Sequence, residues 1–306
     1  MEIEWKQSFI DKYKELTDIE KFLDYSTRFL RRSVRVNTIK IEINELKERL
    51  EKKGLKLEQV PWCKEGFYVE GERRDLGNLA EHFLGYIYIQ EAASMIPPLA
   101  LEPNERDIVL DMCSAPGSKS SQMAAMMNNK GLLISNESSF GRVQPLSINL
   151  QRCGIANTMV TIHDGRLFGK MHGFDKILVD APCSGTGTIR KSLKTTRIWN
   201  PNICYKMAGA QKKLLQSGFD ALKDKGTIVY STCSLEPEED EMVVQNFLDK
   251  NPNAKLEKIS LPGLKTEALN EYGEYKFDSK ISCGCVRIWP QDYDTEGFFV
   301  AKFKKE

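Results

Sequence analysis

A short apolar run that ends in an acid, a proline and a thiol constrains this chain more than any other feature. Residues 177–179 are all aliphatic, which predicts a strand that is buried on both faces of a sheet. Asp180, Pro182 and Cys183 come next, and a Gly-rich loop follows them. Ligands of open α/β sheets bind beyond the carboxyl ends of the strands, so these three residues form a candidate reaction centre.

A second thiol follows another apolar run later in the chain. Residues 226–232 predict a strand, and Cys233 stands directly after it. A cysteine nucleophile has to be partly exposed and able to form a thiolate. Turns at the ends of neighbouring strands allow this for both Cys183 and Cys233, so the two thiols are expected to face one pocket.

The other cysteines favour simpler interpretations. Free cysteines are common as small buried hydrophobes, which is what we expect of Cys63, Cys153 and Cys204. Cys283 and Cys285 form a single C-x-C pair without a second pair of ligands, which is weak evidence for a metal site. We therefore expect no bound metal.

Composition restricts the class of protein only broadly. The 306 residues carry a formal net charge of +1, so any nucleic-acid-binding surface has to be local. Eight cysteines without a compact framework are typical of a reducing compartment. The sequence begins with charged residues rather than a signal-peptide core, and no apolar run approaches the roughly 20 residues that span a bilayer. We expect a cytoplasmic protein that does not enter a membrane.

The first quarter of the chain predicts a small α+β module. Apolar residues spaced by three and four favour helix at its start, and Gly54 is expected to end a second, amphipathic helix. A polar, Gly-containing segment at 71–77 predicts the boundary of the module, which we place at residue 75. The predicted helices are 1–30 and 43–53, and the predicted strands are 31–40, 55–62 and 66–70.

Strands and helices alternate from residue 106 onward. This alternation predicts right-handed βαβ units and a mostly parallel sheet, so the fold class is α/β. Before it, a helix over 91–101 carries Pro97 and Pro98 late in its span and is expected to bend or end there. The predicted strands are 86–90, 108–113, 131–137, 158–164, 174–180, 226–232, 286–289 and 297–303. The predicted helices are 119–129, 141–153, 203–222 and 237–248.

Four successive strand ends carry groups that suit a nucleoside. The first leads into a loop of small residues at 113–119, which lets a ligand approach the backbone and a helix N-terminus. The loop is neither a G-x-G-x-x-G nor a Walker A motif. Glu137, Asp164 and Asp180 end the next three strands, where acids accept hydrogen bonds from ribose hydroxyls or an adenine amino group. One such acid is more often a helix cap, but three together favour S-adenosylmethionine.

The combined motifs resemble the Nol/Nop/Sun family of RNA cytosine-5 methyltransferases. The main matches are C-S-A-P-G-S-K at 113–119, D-A-P-C-S-G at 180–185, S-T-C-S at 231–234 and P-E-E-D-E at 237–241. Further matches are S-V-R-V-N-T at 33–38, Y-I-Q-E-A-A-S at 88–94 and G-F-F-V-A at 297–301. Ser114 and Ser118 stand where many relatives carry Ala and Gly. The chain lacks the long extensions of larger relatives and is similar to the compact archaeal-type tRNA enzymes.

The resemblance implies a fold and a cofactor. It implies a Rossmann-like class I S-adenosylmethionine-dependent methyltransferase domain over 76–306 and an N-terminal RNA-binding module over 1–75. The positions that align with cofactor contacts in the family are Cys113, Ser114, Ala115, Pro116, Gly117, Ser118, Lys119, Glu137, Arg142, Asp164 and Asp180.

The resemblance also implies catalytic roles. Cys233 would attack C6 of cytosine, which makes C5 nucleophilic enough to take a methyl group. Asp180 would hydrogen-bond the base around N3 and the exocyclic amine, and Cys183 would assist loss of the C5 proton and release of the enzyme. Lys119 is expected to belong to the same catalytic group.

Two basic segments are candidates for holding RNA. One is the cluster of Arg28, Arg31, Arg32, Arg35 and Lys40, which would position RNA if it is not merely a solvated face. The other follows Cys183 and is expected to grip phosphates and stack an unstacked base, with a solvated loop as the simpler alternative. Its residues are Arg190, Lys191, Lys194, Arg197 and Trp199.

The sequence leaves alternatives open. The leading hypothesis is RNA cytosine-5 methylation, with tRNA favoured and rRNA as the alternative substrate, by a protein expected to be a monomer. A catalytically silent RNA-binding assembly factor with the same fold is the rival, although the retained thiols and acids argue against it. A DNA cytosine-5 methyltransferase is disfavoured because such enzymes use the thiol of the Pro-Cys loop and need no second one.

Overall fold

The computed structural model describes residues 5–72, 75–265 and 267–306. Within these ranges the helices are α1 Gln7–Leu16, α2 Ile19–Thr27, α3 Ile43–Glu51, α4 Ala80–Phe83, α5 Ile96–Leu101, α6 Ser118–Met126, α7 Phe140–Cys153, α8 Lys194–Ile198, α9 Pro201–Ala221, α10 Glu241–Lys250, α11 Ser279–Gly284 and α12 Pro290–Tyr293. The strands are β1 Ser33–Val36, β2 Lys56–Gln59, β3 Gly66–Glu70, β4 Ile87–Ile89, β5 Ile108–Asp111, β6 Leu132–Asn136, β7 Thr158–Thr161, β8 Phe174–Asp180, β9 Leu222–Thr232, β10 Ala254–Glu257, β11 Glu271–Tyr272, β12 Tyr275–Lys276, β13 Val286–Ile288 and β14 Phe298–Lys305.

A mixed sheet in the order β10-β14-β9-β8-β5-β6-β7 forms the larger part of the molecule. The strands from β9 to β7 pair in parallel, whereas β14 lies antiparallel to β9, β10 and β13. Helices connect the parallel strands, so the predicted α/β class and its mostly parallel sheet are confirmed. The parallel pairing puts the carboxyl ends of β5, β6, β7, β8 and β9 at one edge of the sheet.

The N-terminal part forms an antiparallel sheet in the order β2-β3-β1-β4. Its last strand, β4, pairs with β1 through Val34 and Ile89. This sheet therefore continues past residue 75, where the sequence placed the end of the small module. The chain returns to add one more strand after the polar segment 71–77, of which residues 73 and 74 lie outside the described ranges.

The predicted N-terminal helix over 1–30 consists of two helices, and residues 1–4 lie outside the described ranges. The break falls at Asp18, whose carboxylate accepts a hydrogen bond from the Lys21 backbone N–H at 3.2 Å and begins α2. Phe9, Tyr13 and Phe22 are buried beside the rings of two tryptophans that come much later in the chain. These helices therefore pack against the part of the chain that carries Trp199 and Trp289.

Two predictions for this region are corrected by the structure. Pro97 and Pro98 occupy the first turn of α5 instead of ending it, because a proline lacks only an N–H that the first turn leaves unpaired anyway. Arg35 does not belong to an exposed basic face, whereas Arg28 and Lys40 of the predicted cluster are exposed. Arg35 is 2% exposed and donates to Gln90 Oε1 and Ser121 Oγ, both at 2.8 Å, which ties β1 to α6.

The described ranges contain neither a membrane-spanning helix nor a cluster of side chains that would hold a metal ion. No helix within the described ranges combines the length and apolar character needed to cross a bilayer. Among the same residues, no three His, Cys, Asp or Glu side chains meet in a way that would hold a metal ion. The cysteines of the sequence are free thiols.

Candidate active site

Two thiols meet at the carboxyl edge of the sheet. Strands β8 and β9 pair in parallel, with Asp180 opposite Ser231, so the loops that leave them start side by side. The Sγ atoms of Cys183 and Cys233 are 3.2 Å apart, within the range of a sulfur hydrogen bond. Both residues are half-buried. The structure thus brings together the two cysteines that the sequence singled out, in a position that a substrate can approach.

The contact with Cys233 affects the ionisation of Cys183. The hydrogen bond to Cys233, followed by burial, raises the pKa of Cys183 well above its ordinary value. At 3.2 Å either sulfur can donate the hydrogen bond, so the two thiols can share a proton or pass it between them.

An ion pair lies at the end of β8 beside the thiols. Asp180 Oδ2 accepts from Lys119 Nζ at 2.8 Å, and Asp180 Oδ1 accepts from Ser231 Oγ at 2.8 Å. Burial lowers the pKa of Lys119, but Asp180 more than offsets this, so the pKa is raised and the ammonium stays charged. Because Lys119 belongs to the first turn of α6, this contact joins the small-residue loop to the thiol edge.

One carboxylate holds both thiol loops. Glu239 accepts hydrogen bonds from Ser184 N and Ser234 Oγ, each at 2.9 Å, and also from Ser184 Oγ. These serines directly follow Cys183 and Cys233 in the sequence. Burial raises the pKa of Glu239.

The amide of Gln211 supports the same arrangement from α9. Its Nε2 donates to Glu239 Oε2 at 2.8 Å and to the Pro182 carbonyl at 3.0 Å. The Pro-Cys turn is therefore held from two sides. The sequence analysis did not identify the roles of Glu239, Gln211 and Ser231. Glu239 belongs to the P-E-E-D-E motif at 237–241, which is the one sequence signal that points to it.

Close backbone approach fixes the second thiol loop. Gly187 N donates to the Cys233 carbonyl at 3.0 Å, and Gly297 N donates to the Gly187 carbonyl at 2.9 Å. A Cβ at Gly187 would lie 2.1 Å from the Gly297 carbonyl oxygen. Only glycine fits at this crossing, which explains the Gly-rich sequence after Cys183.

A cavity of about 430 Å³ opens beside the thiol loops. It extends from Cys113 at the end of β5 past Asp164 to Pro182 of the Pro-Cys turn, with Ser138 and Ile162 also in its wall. Of the predicted nucleoside-binding groups, Cys113 and Asp164 line this cavity, whereas Glu137 and Asp180 each stand within two residues of a lining residue, Ser138 and Pro182.

Glu137 has the properties expected of a ribose ligand. It is 3% exposed, and its Oε1 accepts from Ser139 N at 2.9 Å. Among the described residues, no group donates a hydrogen bond to the buried Oε2 atom, although Arg142 Nη1 approaches it at 3.2 Å. The ion pair with Arg142 compensates the charge of this oxygen, and its free hydrogen-bonding capacity suits a hydroxyl-bearing ligand. Arg142 also donates to the Ala115 carbonyl at 2.7 Å and so orders the loop.

The loop at 113–119 is shaped by its backbone. Gly117 has φ +101° and caps α6, and a Cβ there would lie 3.1 Å from Leu146 Cδ1. Ser114 N donates to the Asn136 carbonyl at 2.8 Å. Burial raises the pKa of Asp111, just before the loop, to about 6, and burial also raises the pKa of Cys113. Ala115, Pro116 and Ser118 complete the loop between these anchored positions.

Asp164 is more constrained than expected. Its carboxylate accepts from Arg166 Nε at 2.9 Å and from the Arg166 backbone N–H at 3.0 Å. These bonds lower the pKa of Asp164 to about 2, so it is ionised. It lines the cavity, but an adenine amino group would have to share it with Arg166.

Part of the predicted RNA-gripping segment is wrong. Trp199 is 4% exposed and donates to Glu236 Oε1 at 2.9 Å, so it does not stack a base. Arg190 donates to Asp294 Oδ1 at 2.7 Å and to the Thr295 carbonyl at 3.0 Å. Trp199 packs against Phe9 of α1, and Arg190 binds the C-terminal part of the chain through Asp294 and Thr295. Lys191, Lys194 and Arg197 remain exposed.

The comparisons agree with this geometry. A family model described as 16S rRNA methyltransferase RsmB/F matches residues 98–304, and one described as the N-terminal domain of 16S rRNA methyltransferase RsmF matches residues 6–92. A crystal structure of a methyltransferase homologue from Pyrococcus horikoshii has a TM-score of 0.88 and 36% identity, covering 99% of this chain and 96% of that one. The fold is therefore that of class I methyltransferases, as predicted.

Two relatives illustrate the range of the family. The tRNA (cytosine(49)-C(5))-methyltransferase of Pyrococcus abyssi is 42% identical over 98% of this chain and 96% of its own. The ribosomal RNA small subunit methyltransferase F of Psychromonas ingrahamii is 44% identical over 98% of this chain, which spans 63% of that relative's length. The chain belongs to the RsmB/F family, and the resemblance inferred from its motifs is confirmed.

Proposed function

We propose that this chain methylates C5 of cytosine in RNA, with S-adenosylmethionine as methyl donor and tRNA as the preferred substrate class. The observation that carries the proposal is the pair of thiols, 3.2 Å apart, beside the Asp180–Lys119 ion pair. One thiol serves to attack the base and the other to release it. The family membership supports the same reaction.

The cavity at the sheet edge fits the cofactor. The donor-free Oε2 of Glu137 suits a ribose hydroxyl, and Asp164 suits the adenine amino group. Cys113 and Pro182 border the space between them, and Arg142 keeps the loop at 113–119 in shape. When bound there, S-adenosylmethionine supplies an electrophilic methyl group.

The first step uses Cys233 as nucleophile. Its sulfur forms a bond to C6 of cytosine, and the electron pair of the C5–C6 double bond moves toward C5 and N3. The ion pair of Asp180 and Lys119 lies where it can hydrogen-bond the base edge and balance this charge. C5 then forms a bond to the methyl carbon of S-adenosylmethionine, and the bond between that carbon and the sulfonium sulfur of the cofactor breaks.

Release requires loss of the C5 proton. Cys183, after passing its own proton to water, takes the proton from C5, and the electrons of the C5–H bond restore the C5–C6 double bond. The bond between C6 and the sulfur of Cys233 then breaks, so that Cys233 leaves as a thiolate. The pKa of Cys183 is raised first of all by Cys233 and then by burial. The Cys183 sulfur lies 3.2 Å from that of Cys233 and is therefore beside the adduct at the stage when a base is needed.

The tRNA preference follows the relative named for tRNA position 49, which is 42% identical over 98% of this chain. The relative named for small-subunit rRNA is 44% identical over the same share of the chain, which keeps rRNA as the second candidate.

Methyl transfer from labelled S-adenosylmethionine tests the proposal. Unmodified tRNA transcripts should accept label at cytosine C5, and Cys233→Ala should accept none. Small-subunit rRNA is the second candidate, because both family models are named for it. Label in rRNA but not in tRNA would reverse the substrate assignment. RNA binding without label in either would favour the silent assembly factor.

A further inference from the structure

A second cavity, of about 680 Å³, lies on the flank of the larger sheet. Its walls are the short helical segment Gly165–Lys170, helix α9 and helix α10. We call it the basic groove, because five cations line it: Arg166, Lys170, Lys212, Lys213 and Lys250. Asp220 is the single carboxylate among its described lining residues.

The charges in the basic groove are poorly compensated. Within the described ranges, none of the four lysines forms an ion pair, and Arg166 alone is paired, with Asp164. Asp220 accepts from the Gln216 amide at 2.9 Å rather than from a lysine. Burial, followed by the neighbouring Lys250, lowers the pKa of Lys212. Concentrated positive charge without counter-charges favours an anionic ligand.

The groove lies next to the cavity of the candidate active site. Arg166 lines both cavities; Gly209 of α9 lines the groove, and the next residue, Ala210, lines the active-site cavity. Helix α9 has 21 residues and so spans about 30 Å. Lys206, three positions before Gly209 on the same helix, is exposed and adds to the positive charge of α9.

We infer that the basic groove binds the phosphate backbone of the RNA substrate away from the target base. Five cations around one groove fit several successive phosphates rather than one small anion, and lysines without ion-pair partners suit contacts to a phosphate backbone that depend on charge alone. The inference rests on the proposed function and adds to it an RNA contact outside the N-terminal module. The groove would fix the orientation of the RNA while the base enters the thiol pocket.

The test neutralises the groove without touching the active site. The combined variant carries Lys170→Gln, Lys212→Gln, Lys213→Gln and Lys250→Gln. A control with matched chemistry carries Lys276→Gln and Lys280→Gln on the exposed hairpin β11–β12 and helix α11, outside the groove. Binding of a labelled, unmodified tRNA transcript is measured from about 50 to about 200 mM salt, where phosphate contacts dominate the dependence of affinity on salt.

The groove variant should bind the transcript at least about 10-fold more weakly at low salt. The slope of log affinity against log salt should become shallower by about 0.7 to 0.9 for each phosphate that the protein no longer neutralises. The control should keep the wild-type slope. Calorimetry with S-adenosylmethionine should give equal affinities for all three proteins, which shows that each is folded.

Methyl transfer separates this inference from the proposed function. At saturating tRNA the groove variant should retain the wild-type kcat with a raised KM. A groove variant with the wild-type salt slope and KM would overturn the inference while leaving the methyltransferase proposal intact. A wild-type protein that binds RNA with the expected slope but transfers no methyl group would overturn the proposed function and leave the groove as an RNA site.

Discussion

The Sγ atoms of Cys183 and Cys233 lie 3.2 Å apart although 50 positions separate them in the chain. The parallel pairing of β8 and β9 produces this contact, and Glu239 fixes it by binding the serine after each thiol. At this distance, the ionisation of one sulfur depends on the state of the other. The sheet therefore holds the two thiols in the contact that the proposed two-step reaction requires.

We expect Glu137→Gln to weaken S-adenosylmethionine binding by roughly 10- to 100-fold. A hydrogen bond to a charged group contributes about 1.5–3 kcal/mol, and the amide loses the charge of the buried oxygen. Calorimetry measures the affinity. Glu105→Gln is the control, because Glu105 lies on the surface and pairs with Lys130. Equal affinities for wild type and Glu137→Gln would contradict the ribose assignment.

Asp164→Ala should also weaken cofactor binding. Arg166→Gln serves as the matched control, since it removes the partner of Asp164 while leaving the carboxylate in the cavity. Calorimetry should show lower affinity only for the aspartate variant, and a chelator should change none of the affinities. If Asp164→Ala binds normally, the adenine assignment is wrong.

Glu239→Gln should lower kcat on the order of 100-fold, because a shift of about 1 Å at a reacting group costs that much. Four hydrogen bonds end on this carboxylate, and the amide nitrogen of Gln would face donors instead of accepting from them. Glu238→Gln is the control, since Glu238 is also buried but pairs with Lys12. We would measure kcat, the KM for cofactor and for RNA, and Tm for each variant. A lower kcat with an unchanged Tm indicates lost positioning, whereas a lower Tm indicates general destabilisation. Equal kcat values for the two variants would exclude a positioning role.

A glutamate near the thiol loops makes stability depend on pH. Burial, followed by neighbouring Glu296, raises the pKa of Glu91 from 4.5 to about 8. The folded protein therefore holds a proton that the unfolded chain has lost, so this contribution to stability is complete below the unfolded pKa and disappears as the pH rises through about 8. Unfolding by urea should show a smaller loss of stability with rising pH for Glu91→Gln than for wild type. Parallel curves would contradict the raised pKa.

Periodicity predicted most of the sheet and its ligand-binding edge. The run at 174–180 reads as a buried strand and is β8, and the small loop, the acids and both thiols stand at strand ends as expected. Parallel pairing alone makes such ends converge. A pattern of this kind needs no knowledge of long-range packing, which is why the sequence reveals it.

The errors arose where long-range packing decides a residue's role. Trp199 follows the Pro-Cys loop closely in sequence, but α1 covers it through Phe9 and its indole N–H is bound by Glu236. Arg35 lies in a basic run, yet β1 buries it against α6. Glu239 is one of several acids in a row, and only the meeting of two loops distinguishes it. Such partners come from distant parts of the chain that local patterns do not specify.

The order of the two thiol steps is the central claim of this account. If Cys233 attacks first, its loss abolishes both methylation and any covalent complex. Loss of Cys183 leaves attack possible and blocks release. The double variant should then behave like Cys233→Ala, because the blocked first step hides the second.

Denaturing electrophoresis of each variant with unmodified tRNA and S-adenosylmethionine tests this order most directly. Cys183→Ala should accumulate a protein–RNA complex that survives denaturation, whereas Cys233→Ala and the double variant should form none. A stable complex with Cys233→Ala and none with Cys183→Ala would contradict the account, because the Pro-Cys loop would then supply the nucleophile.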